Sequence, residues 1–125
     1  MIVGVGTDLM EIARIQKSID RFGEPFLCRI FTPAEIEYCQ RKKNAAESFA
    51  ARFAAKEAAA KALGTGISHG VTWLEIEVAR EPSGRPFLVL SGRAAERAKR
   101  LGVSGISLSL SHSRETALAV VIMEG

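Results

Sequence analysis

The chain has 125 residues, of which 47% are apolar and 25% charged, with 17 Lys and Arg against 14 Asp and Glu. That length supplies one ordinary domain with a real core, and the apolar fraction together with a positive mean hydropathy of +0.11 excludes a disordered chain. No run approaches the roughly 18 apolar residues a membrane span needs, and a net charge of +3 with a pI near 9.1 leans toward an anionic partner without defining one.

Met1-Ile2-Val3-Gly4-Val5-Gly6-Thr7-Asp8 carries no basic segment and does not read as a secretory leader. Cys28 and Cys39 make no metal-ligand pattern and are expected as reduced thiols of a cytoplasmic protein. Residues 2–6 are a short apolar run with glycines, expected as a buried or bent strand. Ile12, Ile15, Ile19 and Phe22 then recur at helical spacing, with Arg14, Lys17 and Arg21 on another face, and Gly23 and Pro25 are expected to end that helix.

Thr32-Pro33-Ala34-Glu35 is a capping box with proline at the first helical position, opening a helix to about Arg41. Three cations follow, Arg41, Lys42 and Lys43. Asn44 with Glu47 starts the Ala-rich segment Ala45–Leu63, which lacks Gly and Pro, is the strongest helix in the chain, and stops at Gly64. Leu74, Ile76 and Val78 alternate with Glu75, Glu77 and Ala79 as a half-exposed strand, and the turn 81–86 joins it to Phe87–Leu90. Ala94–Leu101 is expected as a short helix with Ser91 as its cap and Gly102 as its stop. Ile106, Leu108 and Leu110 alternate with serines as a strand, and Thr116–Met123 is a long apolar one. No repeat or linker divides residues 1–125, so the expectation is a single α+β domain with a largely antiparallel sheet; a doubly wound fold would need more long parallel crossovers.

Several residues could carry chemistry. Asp8, at or just past the end of the first strand, could cap the next helix or ligate a metal. Glu57 and Lys61, one turn apart on the long helix, could be an exposed ion pair; alternatively Glu57, four residues beyond Phe53, sits at the rim of the apolar stripe, where a carboxylate serves better as a ligand. Gly64-Thr65-Gly66 lacks the ending of a P-loop and reads first as a helix stop and turn. His112 shares the parity of Leu108 and Leu110 and could be a core histidine or a phosphate ligand. Together with Arg52, Lys42 and Lys43, these residues suit a divalent cation on a pyrophosphate surrounded by basic groups.

Three segments resemble the motifs of the 4′-phosphopantetheinyl transferases: Ile2–Leu9 with Glu11 and Arg14 near the start, Arg52–Gly66 in the middle, and Ser109-Leu110-Ser111-His112-Ser113 near the end. The resemblance covers essentially the whole chain, and its middle motif is the specific one. Larger, two-lobed members tend to carry a second acid two residues after the first aspartate. Met10 stands there in this chain, which favours the short, trimeric bacterial subclass.

The resemblance implies transfer of phosphopantetheine from coenzyme A to a serine of an apo acyl carrier protein, with release of adenosine 3′,5′-bisphosphate, in support of fatty acid biosynthesis. By the same resemblance Asp8 and Glu57 hold Mg²⁺ against the pyrophosphate, and Lys61 stabilises charge on the phosphates or leaving group. Glu57 or a metal-bound water takes the serine proton. Gly64, Thr65 and Gly66 let the backbone approach the donor, while His112, Arg52, Lys42 and Lys43 are candidates for its nucleotide phosphates. Carrier proteins of this family are acidic, so the Arg14, Lys17, Arg21 face is the expected docking surface. A half-length chain carrying both sets of motifs implies a homotrimer whose sites pair Asp8, Glu57 and Lys61 of one subunit with the histidine of the next.

Two other classes compete. A non-catalytic coenzyme A or nucleotide binder would not need both acids. A small RNA-binding module fits poorly, because one Trp and one Tyr give few stacking platforms; neither nucleic acid nor membrane is expected as a partner.

Overall fold

The first strand outruns its apolar segment. In the computed structural model, which describes all 125 residues, β1 extends over Ile2–Glu11 because its whole length pairs antiparallel with β5, Thr116–Glu124. Asp8 therefore lies inside a strand, opposite Ala119, and caps nothing. The helix after it, α1 (Ile12–Phe22), starts at Glu11 without a side-chain cap.

Gly23, at φ +60°, ends α1 as expected. Pro25 does not mark a loop. It sits in the first turn of a further helix, α2 (Glu24–Ile30), where its missing N–H costs nothing. The Thr32–Glu35 box closes as read: Thr32 Oγ1 accepts from Glu35 N at 3.3 Å and Glu35 Oε1 accepts from Thr32 N at 2.8 Å, opening α3 (Pro33–Gln40). Asn44 Oδ1 accepts from Glu47 N at 3.2 Å and opens α4 (Ala45–Ala62).

Leu74 does not belong to the strand that alternation suggests. Glu75 Oε1 accepts from Thr72 N at 3.0 Å and winds Trp73–Glu75 into one 3₁₀ turn, so β2 runs only over Ile76–Arg80 and hairpins with β3 (Pro86–Leu90). The other oxygen of Glu75 accepts from Arg93 N at 2.8 Å at the start of α5 (Gly92–Leu101), taking the cap role expected of Ser91. Gly102, in the left-handed region, ends α5 before β4 (Gly105–His112).

The main sheet has the order β1-β5-β4, antiparallel throughout, with β2-β3 as a separate ribbon. This is the α+β architecture, and no parallel pair exists to support the doubly wound alternative. One sheet face packs on α4. Ala117, Ala119, Val121 and Met123 of β5 are buried there. Twelve of the 18 residues of α4 are buried, so this helix is surrounded rather than amphipathic. It separates two apolar clusters, one with the sheet, α5 and β2, the other with α1, α2 and α3 around Phe31 and Phe49.

Glycine decides how closely β1 meets α4. A Cβ on Gly4 would strike the Ala62 carbonyl, and one on Gly6 the Ala58 carbonyl. The two glycines and the alanines beneath them bring strand and helix together backbone to backbone, antiparallel, with Asp8 next along the same face of β1.

Buried charge ties the remaining elements to this helix. Lys56 Nζ lies 2.7 Å from Glu35 Oε1, both side chains are fully buried, and Nζ also donates to the carbonyls of Trp73 (3.0 Å) and Ile76 (2.8 Å). Glu35 Oε2 accepts from Val78 N at 2.8 Å. The capping residue of α3 thus doubles as the anchor of β2, with every polar group of the pair satisfied. Cys28 is exposed and Cys39 buried, both free thiols. Burial pushes the Cys39 thiol up to about 11.

Candidate active site

Asp8 points from β1 toward α4. Its Oδ1 accepts from Lys61 Nζ at 3.1 Å, and the same ammonium donates to the Thr7 carbonyl at 3.0 Å. Lys61 is therefore not the partner of Glu57 in a helix-surface pair; it reaches across to the strand and is held there, with about half of its side chain still open to solvent. Asp8 is mostly buried, and its second oxygen, Oδ2, is buried with no hydrogen-bond partner. Glu57, half-buried on the adjoining turn of α4, completes the group. Burial pushes its pKa up, the charge of Asp8 adds to that, and the Trp73 indole and Lys61 pull it down by less.

Glu57, whose ionisation the Asp8 charge opposes, and Asp8, with its buried unpartnered oxygen, form a site suited to a cation. Only two such groups converge, and no cluster of three or more His, Cys, Asp or Glu occurs in the chain. A hard ion that keeps water and phosphate oxygens in its shell suits so small a protein donor set.

Lys61 leads directly into the turn Gly64-Thr65-Gly66. Gly64 and Gly66 both have positive φ, and the N–H groups of Thr65 and Gly66 return to the Ala60 carbonyl. This is the expected helix stop, and its outer side opens on a cavity of about 430 Å³ lined by Gly64, Thr65, His69, Arg93, Arg97 and Arg100. The three arginines follow a helical repeat on α5, the one signal for them that the sequence carries.

The other expected basic residues lie apart from this group. The Arg52 side chain is buried, donates to the Ser48 carbonyl at 3.1 Å and stacks on Tyr38, with its guanidinium 4.3 Å from the ring centre. Lys42 covers the same ring at 4.6 Å and Arg80 at 4.9 Å, while Lys43 is exposed in the turn before α4. Burial raises the pKa of the Tyr38 phenol, but the combined action of Lys42, Arg80 and Arg52 lowers it below its ordinary value. Nothing in the sequence singled out Tyr38 or Arg80, which meet only through the fold.

His112 is not a core histidine. It stands beyond the half-buried part of β4, about half exposed itself, with Nε2 3.4 Å from Glu47 Oε1. Glu47 is ten residues before Glu57 on α4, about 15 Å along the axis. The fold thus joins Asp8, Glu57, Lys61 and the glycine turn, and leaves His112, Arg52, Lys42 and Lys43 elsewhere. Arg14, Lys17 and Arg21 rim a separate cavity of about 360 Å³ between α1 and α4, with Met10, Ile15, Phe22, Phe26 and Phe53 as its apolar lining.

The model of the 4′-phosphopantetheinyl transferase superfamily matches residues 4–121. The chain is 59% identical over 124 residues to the holo-[acyl-carrier-protein] synthase of Koribacter versatilis, covering 99% of each. Among solved structures, the holo-[acyl-carrier-protein] synthase of Neisseria meningitidis superposes with a TM-score of 0.92 at 37% identity over the full length of both chains. That of Helicobacter pylori, solved in complex with coenzyme A, gives 0.85 at 37% identity, covering 96% of this chain and 99% of the other. The chain belongs to the 4′-phosphopantetheinyl transferase superfamily, within it to the holo-[acyl-carrier-protein] synthases, and is an enzyme of that kind.

Proposed function

We propose that the chain transfers 4′-phosphopantetheine from coenzyme A to a serine of an apo acyl carrier protein and releases adenosine 3′,5′-bisphosphate, supplying fatty acid biosynthesis in the cytoplasm. The observation that carries this reading is the Asp8–Lys61–Glu57 cluster, with the unpartnered Asp8 Oδ2 inside it. Asp8 and Glu57 would hold Mg²⁺, which when bound offsets the charge of the donor pyrophosphate. Lys61, fixed by Thr7 and Asp8 and still half open, presents its ammonium to the oxygens that gain charge as the phosphoryl bond breaks. Glu57, or a water held beside it, takes the proton of the attacking serine hydroxyl. The glycine turn lets the donor's phosphates approach the backbone after Lys61, beside the arginine-lined cavity.

The α1 face supports docking of an acidic carrier. Arg14, Lys17 and Arg21 surround an apolar depression, and Phe22 at its edge is 55% exposed. An acidic amphipathic helix would meet cations at the rim and apolar surface between them. No helix is long and apolar enough to cross a membrane.

The second sheet face supports the homotrimer. Val5 and Leu9 of β1 are 54% and 66% exposed, and register sets them beside Ile122 and Leu118 of β5, with Val120 between. An apolar sheet face left open in this way is covered by a partner in an ordinary soluble protein. The placement of His112, far along α4 from Glu57, supports its service to a neighbouring subunit's site, together with Arg52, Lys42 and Lys43 as candidates for the nucleotide phosphates.

Incubation with apo acyl carrier protein, coenzyme A and Mg²⁺, read by intact mass, tests the reading. We expect one phosphopantetheine on the carrier serine, no gain in the presence of a chelator, and no gain with Asp8→Ala or Glu57→Ala enzyme that retains its circular dichroism spectrum. An unmodified carrier refutes the activity, and either variant working near the wild-type rate refutes the metal assignment.

A further inference from the structure

Two side-chain polar atoms in the protein are buried without a hydrogen-bond partner, Asp8 Oδ2 and Trp73 Nε1. The cation site accounts for the first. The second is an indole N–H, which can only donate, and a buried donor without an acceptor costs about 1–3 kcal/mol. The fold nevertheless holds this residue firmly. Its turn is closed by Glu75, its carbonyl is gripped by the buried Lys56, and its ring packs on Phe53 with centroids 6.4 Å apart and planes at 31°. Phe53, Lys56 and Glu57 lie within one turn of α4, so the residue that seats the ring and the residue that binds its carbonyl flank the approach to the Glu57 side chain. The carboxyl on which the N–H acts is that of Glu57, short of a closed hydrogen bond.

We infer that Trp73 is a positioning residue: its Nε1–H donates to the Glu57 carboxylate and fixes the orientation in which that carboxylate faces Asp8. The indole works through Glu57, as outer-sphere donors orient metal-binding carboxylates. Lys56 and Glu35, remote from solvent, then have a task in the site as well, because they set the height of Trp73 over the helix. The contact between Trp73 and Glu57 is independent of the transferase reading; its effect on cation binding rests on that reading.

Trp73 is the only tryptophan, so its indole N–H gives a single, self-assigned resonance in a ¹⁵N–¹H spectrum of the assembled protein. Glu57→Ala should move that resonance upfield and speed its exchange with water, while Glu81→Ala, in the exposed hairpin turn, should leave it in place. An indole resonance indifferent to Glu57→Ala overturns the contact, whether or not the protein transfers phosphopantetheine. Trp73→Phe keeps an aromatic ring on Phe53 and removes the N–H. It should weaken Mn²⁺ binding, read by electron paramagnetic resonance titration, by about ten-fold, with the melting temperature and the carrier-protein KM unchanged. Wild-type Mn²⁺ affinity in Trp73→Phe overturns the positioning role.

Discussion

Replacing Gly6 with alanine links packing to catalysis in one experiment. The added Cβ would overlap the Ala58 carbonyl oxygen and lie 2.8 Å from its carbon and 2.9 Å from Ala62 N. Carbon atoms rest about 3.5–4.0 Å apart, and all three obstacles are backbone, so no side chain can rotate away. Strand and helix must separate by about 1 Å. Overpacking of this kind costs about 1–3 kcal/mol, and a backbone obstacle belongs at the upper end. For a chain of this size that lowers Tm by roughly 10 °C. Asp8 is two residues further on the same face, so the separation also carries it away from Glu57 and Lys61. A displacement of about 1 Å can cost on the order of a hundred-fold in rate. Thermal unfolding at fixed protein concentration, with turnover measured well below the transition, reads both effects. Gly105→Ala is the control, because a Cβ there meets nothing within 4 Å and its φ is not left-handed. If Gly6→Ala melts and turns over like Gly105→Ala, close strand–helix contact does not position the site.

Lys56→Met should destabilise the protein by about 3–5 kcal/mol, because it strands the fully buried Glu35 carboxylate; urea unfolding at neutral pH with an unchanged m-value checks this, and a loss under about 1 kcal/mol would show that the pair is not what holds β2 to α4. Asp8→Ala and His112→Ala proteins, each inactive alone, should recover about a quarter of wild-type activity when unfolded and reassembled together at equal amounts, since a shared site then finds both wild-type groups in that fraction of interfaces. No recovery from mixed trimers verified by native mass spectrometry would place each site within one subunit.

The sequence by itself determined the elements whose signals are local. The Thr32–Glu35 box, the Asn44 cap, the Ala-rich helix and its Gly64 stop act within a turn of chain, and α3 and α4 start where those residues say. The three resembling segments likewise carried the family, and the fold puts the Asp8 carboxylate on the Lys61 ammonium, one turn from Glu57. Tertiary structure decided what depends on distant partners. Pairing with β5 drew β1 through Asp8 to Glu11, and a side chain that looked like a helix cap became a carboxylate facing α4. Lys61 turned from its helix neighbour to a strand 53 residues away, because there the Thr7 carbonyl and the Asp8 carboxylate converge on one ammonium. Alternation made Leu74 a strand residue, and a hydrogen bond from Thr72 N to Glu75 made it part of a 3₁₀ turn that delivers Trp73 to Phe53. Arg52 and Tyr38 meet, and His112 parts from Glu57, only because helices and a strand fixed by buried contacts carry them there. Periodicity in the chain specifies which face a residue occupies; which face it meets is set by the packing of backbones that glycine and alanine allow to touch.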